Sequence, residues 1–543
     1  MLPTSRLDGE DAAVRRLARA AVALAALPAL GALAAELGVF GDLSGFPLDD
    51  PWIHLTFARS LAAGDGLAYR AGELVAGSTA PLWTALLAVV APLGPGAAEA
   101  AAKLLALAAH VAALALVFRL ARRFALSPRR AALATLLVGL SDGLVLAVVS
   151  GMEVPLFVAL FAAGMIRHLD ERADPGQAPL AFLLFALAAL ARPEGLMLLP
   201  LAAADRALVA RKGTWRLDRA GLGDALAGLA VAAVVIVPVA VAFAVMSGSP
   251  LPTTFAAKSA GPAAVLPPLR HLAGAFAIVF AAHPLPALLA AGGAVELARR
   301  SGGRLDRGLL LPLWALALPL AIAALSGERE LAAGNFGRYL FPLLPCVVLL
   351  GVLALEGVGE ETGALGAPAA AGHERTALRR LALGAAALAL LVAPPAQRSL
   401  RAAGLALHAR SNVEASDARA ADWLEAEAAP DALVATVDIG VLGWRLPNPL
   451  LDLGGIVSPE RGERLARAER EGGRAWAPAL VAWIEAERPE YVVVFPRWLP
   501  LLESQPQRYP PRARFRIERN VAMAGDELVI YATPWTRPTV PAR

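Results

Sequence analysis

Charge is scarce in this chain of 543 residues: 18% are charged and 57% hydrophobic, where a soluble protein carries about a quarter charged residues. With a mean hydropathy of +0.57, this excludes one large water-soluble enzyme. Cysteine is limited to Cys346, so no intrachain disulfide can form and compartment has to be read from topology. Lysine occurs only at positions 103, 212 and 258, leaving arginine to supply nearly all fifty basic residues. That bias, with abundant alanine, is the mark of a GC-rich bacterial genome. Also missing are Cys/His spacings for zinc, a GxGxxG or Walker loop in its proper context and a GxSxG elbow, which argues against nucleotide chemistry.

Long apolar runs are plentiful. A bilayer core about 30 Å thick needs about 20 mostly apolar residues per helix. Runs near 17–40, 98–121, 131–149, 152–167, 179–191, 194–210, 224–246, 271–298, 308–325, 338–356 and 378–395 qualify. The first follows Arg15, Arg16 and Arg19 without a cleavage site and reads as a retained helix with a cytoplasmic N-terminus. Arg-rich loops at 122–130, 167–172, 211–219, 299–307 and 375–380 then alternate with Arg-poor ones, as the positive-inside bias demands. The net charge of +4 is therefore topological and does not speak for nucleic acid. Keeping this parity makes Pro81 to Leu93 an interfacial or re-entrant segment. The expectation is a mainly α, polytopic bundle of about eleven spans, residues 1–396, with a first outer loop at 41–97.

An odd number of spans puts 397–543 outside the cytosol, and there the pattern changes. Asp417–Glu427 reads as a helix, Ala432–Asp438, Pro449–Val457 and Glu490–Phe495 as strands or turns, and Phe515–Glu518 with Glu527–Ala532 as a pairing edge. The expectation is a small α/β periplasmic domain. The Gly- and Ala-rich stretch from Gly357 to Gly372 reads as a linker.

Chemistry concentrates between Phe46 and Trp83. Asp49 and Asp50 stand directly after the first span, and Pro51 starts an amphipathic helix with Ile53, Phe57 and Leu61 on one face, which could lie on the membrane. An Asp pair at this depth is costly unless paired, hydrated or used. It reads as a general base, or as hard oxygen ligands for a divalent cation. An Asp50 N-cap before Pro51 accounts for one acid but not two. His54 falls at i+4 from Asp50 and can hydrogen-bond to it or serve the core. Arg59, two turns on, can pair with an Asp, reach a substrate or stay solvated. Glu153, Arg192 and Glu194 sit in tight turns, SGMEVP and ARPEG; as charges at membrane depth they are cavity candidates, with pairing of Arg192 to Glu153 or Glu194 the simplest arrangement. Glu36 and Asp142 are buried acids with no partner assigned, and Asp438 and Asp452 beside Gly440 and Gly454 suggest turn chemistry.

The segments LDDPWIHLTFARSLAAGDGLAYRAGELVAGSTAPLW, SGMEVPLF, ARPEG, LPTTFAAKSAG and GRYLFPLLP, in this order, resemble bacterial GT-C fold glycosyltransferases. Within these the chain is most similar to the group related to the terminal arabinofuranosyltransferases of the mycobacterial cell wall, and VDIGVLGW and LLDLGGIVSPE extend the likeness into the C-terminal part. The resemblance implies a polyprenyl-phosphate sugar donor, an active site at the outer membrane face and catalysis by an acid of the first outer loop, which Asp49 and Asp50 match. It implies inverting single displacement: a carboxylate takes the acceptor proton while the lipid phosphate departs. One base suffices, unlike the paired carboxyls of glycoside hydrolysis, and cations stabilise the leaving phosphate.

Candidates for that contact are Lys258 in TTFAAKSAG, Arg338 opening GRYLFPLLP, Lys103 and Arg59. The other reading of Lys103 is a snorkelling residue beside Glu99, and of Arg338 an interfacial anchor. The sequence thus predicts a polytopic inner-membrane glycosyltransferase of cell-envelope biogenesis, acting on an envelope glycan, lipid or protein. Its rivals are a flippase for a lipid-linked saccharide, which predicts broken central helices around a midplane polar site, and a noncatalytic GT-C-like assembly partner.

Overall fold

The computed structural model describes residues 10–70, 72–174, 177–211, 214–254, 269–300, 308–325, 338–361, 374–458 and 476–537. The chain opens with α1 (Glu10–Phe40). The first loop after it carries α2 (Asp50–Ala63), a hairpin of β1 (Ala68–Arg70) and β2 (Glu73–Leu74), and α3 (Pro81–Leu87). Then come α4 (Ala97–Arg123), α5 (Pro128–Gly139), α6 (Asp142–Val149), α7 (Val154–Ala173), α8 (Leu180–Ala191) and α9 (Leu198–Ala207). A second hairpin, β3 (Leu208–Arg211) with β4 (Thr214–Leu217), leads into α10 (Arg219–Ser247). The helical region closes with α11 (Leu269–Ala282), α12 (Pro284–Arg300), α13 (Leu310–Leu325), α14 (Leu344–Glu361) and α15 (Glu374–Val413).

All eleven apolar runs are helical over most of their length. Among the described residues four helices are long and apolar enough to cross a membrane: Ala12–Phe40, Ala97–Arg123, Arg219–Ser247 and Arg338–Gly357. Two expected spans are broken. The run at 131–149 bends by 54° between α5 and α6, and the run at 271–298 bends by 108° between α11 and α12. The breaks touch, since Ser141 Oγ and His283 Nε2 lie 2.8 Å apart, and beside them Arg398 of α15 donates to Asp142, Nε to Oδ2, over 2.8 Å. The run at 194–210 also stops short, because its last residues enter β3. Pro81 to Leu93 gives only α3 and a 3-10 turn, Ala91–Leu93, about 10 Å of α-helix and too short to span. Close packing comes from small residues: a Cβ on Gly293 of α12 would overlap the Leu350 carbonyl of α14.

α15 runs unbroken past residue 396, and its 40 residues reach about 60 Å. It carries the chain into the C-terminal unit of α16 (Arg419–Glu427), β5 (Val434–Thr436), α17 (Gly440–Arg445), β6 (Leu450–Asp452), α18 (Trp476–Glu487), β7 (Tyr491–Val494), α19 (Pro500–Glu503), β8 (Pro511–Arg516) and β9 (Glu527–Ala532). The sheet order is β6-β5-β7-β9-β8, with β5 parallel to β6 and β7, and β9 antiparallel to β7 and β8. Side chains alternate across it. Ala435, Val492, Val494 and Val529 pack on Leu480, Trp483 and Ile484 of α18, while Val434, Val493 and Ile530 face the other way.

That second face holds Ile53 and Phe57 of α2 together with Ala420, Ala421 and Leu424 of α16. The apolar stripe of α2 therefore packs against the C-terminal unit and does not lie on a membrane, a correction to the sequence expectation. The periodicity was right, but periodicity does not say what covers a face.

Candidate active site

The first loop grips one short helix of the C-terminal unit from three directions. Asp49 Oδ2 accepts from the Gly440 N–H at 2.7 Å and Oδ1 from the Val441 N–H at 2.9 Å, so it satisfies the open amides at the start of α17. The Tyr69 hydroxyl donates to the Ile439 carbonyl at 2.6 Å. At the far end Arg59 donates to the carbonyls of Gly443 and Trp444 at 3.0 and 2.8 Å, with its guanidinium 4.8 Å over the Trp444 ring. Gly440 is required here because a Cβ would overlap Asp49. Burial, then Asp438 nearby, pushes Asp49 up to about 8, and burial followed by Asp50 raises Asp438 to about 6.

Asp50 points elsewhere. It forms an ion pair with Arg338 and borders a cavity of about 320 Å³. The cavity also takes in His54 from α2, Glu153 before α7, Arg192 and Glu194 after α8, and Tyr339 beside Arg338. Arg192 bridges two acids, donating to Glu153 Oε1 at 2.5 Å and Glu194 Oε1 at 2.8 Å. Tyr339 lies between the two guanidiniums, 5.7 Å from Arg192 and 5.4 Å from Arg338. Leu251, Thr254 and, from the C-terminal unit, Ile456 complete that side, fastened by the Thr253 hydroxyl donating to the Ile456 carbonyl at 2.5 Å.

Six of the ten sequence candidates thus converge: Asp50, His54, Glu153, Arg192, Glu194 and Arg338. Asp49 and Arg59 do not line this cavity but hold α17. Lys103 is buried away from it, paired with Glu36, which also receives Arg410 Nη1 at 2.9 Å. Glu99 stays in the neighbourhood of Lys103 as expected, but its hydrogen bonds go to the Gly45 N–H at 2.6 Å and Trp52 Nε1 at 2.9 Å. His54 Nδ1 is 3.4 Å from Thr84 Oγ1. Lys258 lies outside the described residues.

Neither aspartate of the pair has the predicted cap geometry, for α2 begins without a side-chain cap bond. Nor do the two fit a shared cation: one faces backbone amides and the other a guanidinium, and among the described residues no group of three or more His, Cys, Asp or Glu side chains is arranged to hold a metal. Sequence reading missed Arg398 and Arg410 as partners of Asp142 and Glu36, since both lie more than 250 positions away in the chain. Asp452 does perform turn chemistry, accepting from Gly454, Gly455 and Val457.

Residues 405–531 match a family described as a domain of unknown function, DUF8728. No curated protein matches the chain by sequence. Among solved structures, ArnT from Cupriavidus metallidurans bound to undecaprenyl phosphate aligns with a TM-score of 0.54 at 17% identity, over 96% of this chain and 98% of that one. The fold is GT-C. The GT-C match extends to the oligosaccharyltransferase of Archaeoglobus fulgidus in its apo form, with a TM-score of 0.56 at 13% identity over 88% of this chain and 69% of that one. The same archaeal enzyme tethered to an acceptor peptide aligns at 0.54 and 14% identity, over 88% and 68%. The GT-C architecture thus accounts for the helical bundle and the appended sheet together.

Proposed function

We propose that the protein is a glycosyltransferase that moves a sugar from a polyprenyl-phosphate donor to a cell-envelope glycan, lipid or protein, with Asp50 as the base. The observation that carries this is Asp50 at the edge of a cavity in a GT-C fold, paired with Arg338. That ArnT has been captured with undecaprenyl phosphate supports the donor class. The five ordered motifs point to the group related to terminal arabinofuranosyltransferases. Residues 1–396 would form the membrane module, and 397–543 the periplasmic domain. Both belong to this proposal, as does a bacterial inner-membrane location with the N-terminus in the cytoplasm.

The chemistry follows from the ion pair. A carboxylate held by a guanidinium is a poor base, and a phosphate is a strong competitor for that guanidinium. When the donor phosphate engages Arg338, Asp50 is freed to take the acceptor hydroxyl proton. The acceptor oxygen bonds to the anomeric carbon, the bond from that carbon to the phosphate oxygen breaks, and polyprenyl phosphate leaves with the electron pair, its charge stabilised by Arg338. No step needs a metal. Asp50→Asn should lower transfer by at least about a hundredfold in membranes supplied with a defined polyprenyl-phosphate donor. Transfer at the wild-type rate would overturn the proposal.

The touching breaks at Ser141 and His283 favour a second reading, a flippase for lipid-linked saccharide. Neither residue lines the cavity that holds Asp50, which is why the enzyme reading is preferred. Scrambling of a fluorescent lipid-linked sugar by proteoliposomes, undiminished in Asp50→Asn, would reverse that preference.

A further inference from the structure

The cavity contains a set of unmet hydrogen-bonding groups. Glu153, Glu194, Arg192 and Thr254 all line it, and Glu153 Oε2, Glu194 Oε2, Arg192 Nε and Thr254 Oγ1 are buried without a hydrogen-bond partner among the described residues. Buried polar atoms are nearly always satisfied, so four orphans around one cavity describe the complement of a ligand. Two are carboxylate oxygens that accept, one is an N–H that donates, and one is a hydroxyl that does either. The Oε1 atoms of both glutamates are already committed to Arg192, which leaves each its Oε2.

We infer that Glu153 and Glu194, bridged by Arg192, recognise the hydroxyls of the sugar on the donor and exclude an acidic one. This rests on the donor reading above and deepens it. Sugar hydroxyls donate to the free glutamate oxygens, and another sugar oxygen accepts from Arg192 Nε. A carboxylate or phosphate on the ring would meet Glu153, Glu194 and Asp50, while the two guanidiniums lining the cavity are engaged by those same acids. Arg192 thereby becomes a positioning residue that orients two readers of the sugar, and Arg338 is left for the phosphate.

The test uses full-length protein in lipid nanodiscs and measures binding, not turnover. Four probes are titrated: undecaprenyl phosphate alone, and undecaprenyl phosphate bearing glucose, glucuronate or glucosamine. Glucose stands for uncharged sugars as a class. The glucosyl lipid should bind at least about tenfold more tightly than the glucuronosyl lipid, and the glucosaminyl lipid, which keeps hydroxyls for the same groups, should also bind more tightly than the glucuronosyl lipid. Glu153→Gln and Glu194→Gln should each bring the glucose-to-glucuronate ratio towards one, with the thermal unfolding temperature in the nanodisc as the control for an intact fold. Equal binding of glucosyl and glucuronosyl lipids by the wild type, a glucosaminyl lipid bound no better than the glucuronosyl one, or a ratio untouched in both variants would overturn the inference while leaving the donor reading intact. If none of the four probes binds, the donor reading fails and takes this inference with it.

Discussion

Asp49 and Asp50 are neighbours in sequence and opposites in environment. One is sealed against the amides of Gly440 and Val441, the other is paired with Arg338 at a cavity. The sequence made the pair conspicuous, because two acids beside an apolar helix are expensive. It could not divide the labour, since the partners lie hundreds of residues away. The raised values of Asp49, about 8, and Asp438, about 6, carry a pH consequence. In the unfolded chain both acids ionise near their ordinary value, so their contribution is complete below about pH 4 and is lost as pH rises to about 8. Asp42 and Asp431, lowered by Arg410 and Arg537, stay ionised between pH 5 and 8 and add no slope there. Hydrogen-exchange protection of the α17 amides should therefore fall from pH 5 to pH 8, after correction for intrinsic exchange, and Asp49→Asn should flatten that fall. Protection that rises with pH would contradict the assignment.

At the scale of elements, local pattern found the helices and misjudged their continuity. A hydropathy window averages across Ser141-Asp142 and His283-Pro284, yet these polar and proline steps are where the two long runs bend. The signal was present: proline is at home in the first turn of a new helix, and Pro284 opens α12. The strands of the C-terminal unit were legible from β-branched residues because the sheet is packed on both faces. α17 shows how an element of six residues can be held by its ends. Gly440→Ala should cost about 1–3 kcal/mol by forcing Asp49 away from those amides, seen as a lower unfolding temperature together with faster proteolysis between residues 437 and 446. A variant as stable and as protease-resistant as wild type would show that the contact is dispensable.

For the whole molecule, the bundle and the sheet are joined by α15 and by the first loop. Near the end of α15, Arg410 contacts Glu36 at 2.9 Å, Asp42 at 2.7 Å and Glu414 at 2.7 Å, and lies 4.0 Å over the Phe40 ring. Arg410 and Glu36 are buried, whereas Asp42 and Glu414 are largely solvated, so removing the arginine leaves Glu36 to Lys103 alone and costs about 1–3 kcal/mol. Arg410→Gln should lower the thermal unfolding temperature in detergent clearly, whereas Arg516→Gln, at an exposed ion pair of the sheet edge, should change it little. Equal effects would mean that the junction is not a weight-bearing part of the fold. The overall class was readable because apolar run length and arginine placement report a polytopic chain directly. The convergence of six candidates on one cavity was not, because it depends on how four separate stretches of chain meet.

One peptide bond separates the side chain that anchors α17 from the side chain offered for proton transfer. A rigid amide plane of this kind cannot stretch, so a shift of the sheet relative to the bundle is delivered as a rotation or displacement at the next residue. A displacement of the sheet that carried α17 with it would therefore reach Asp50 and its ion pair with Arg338.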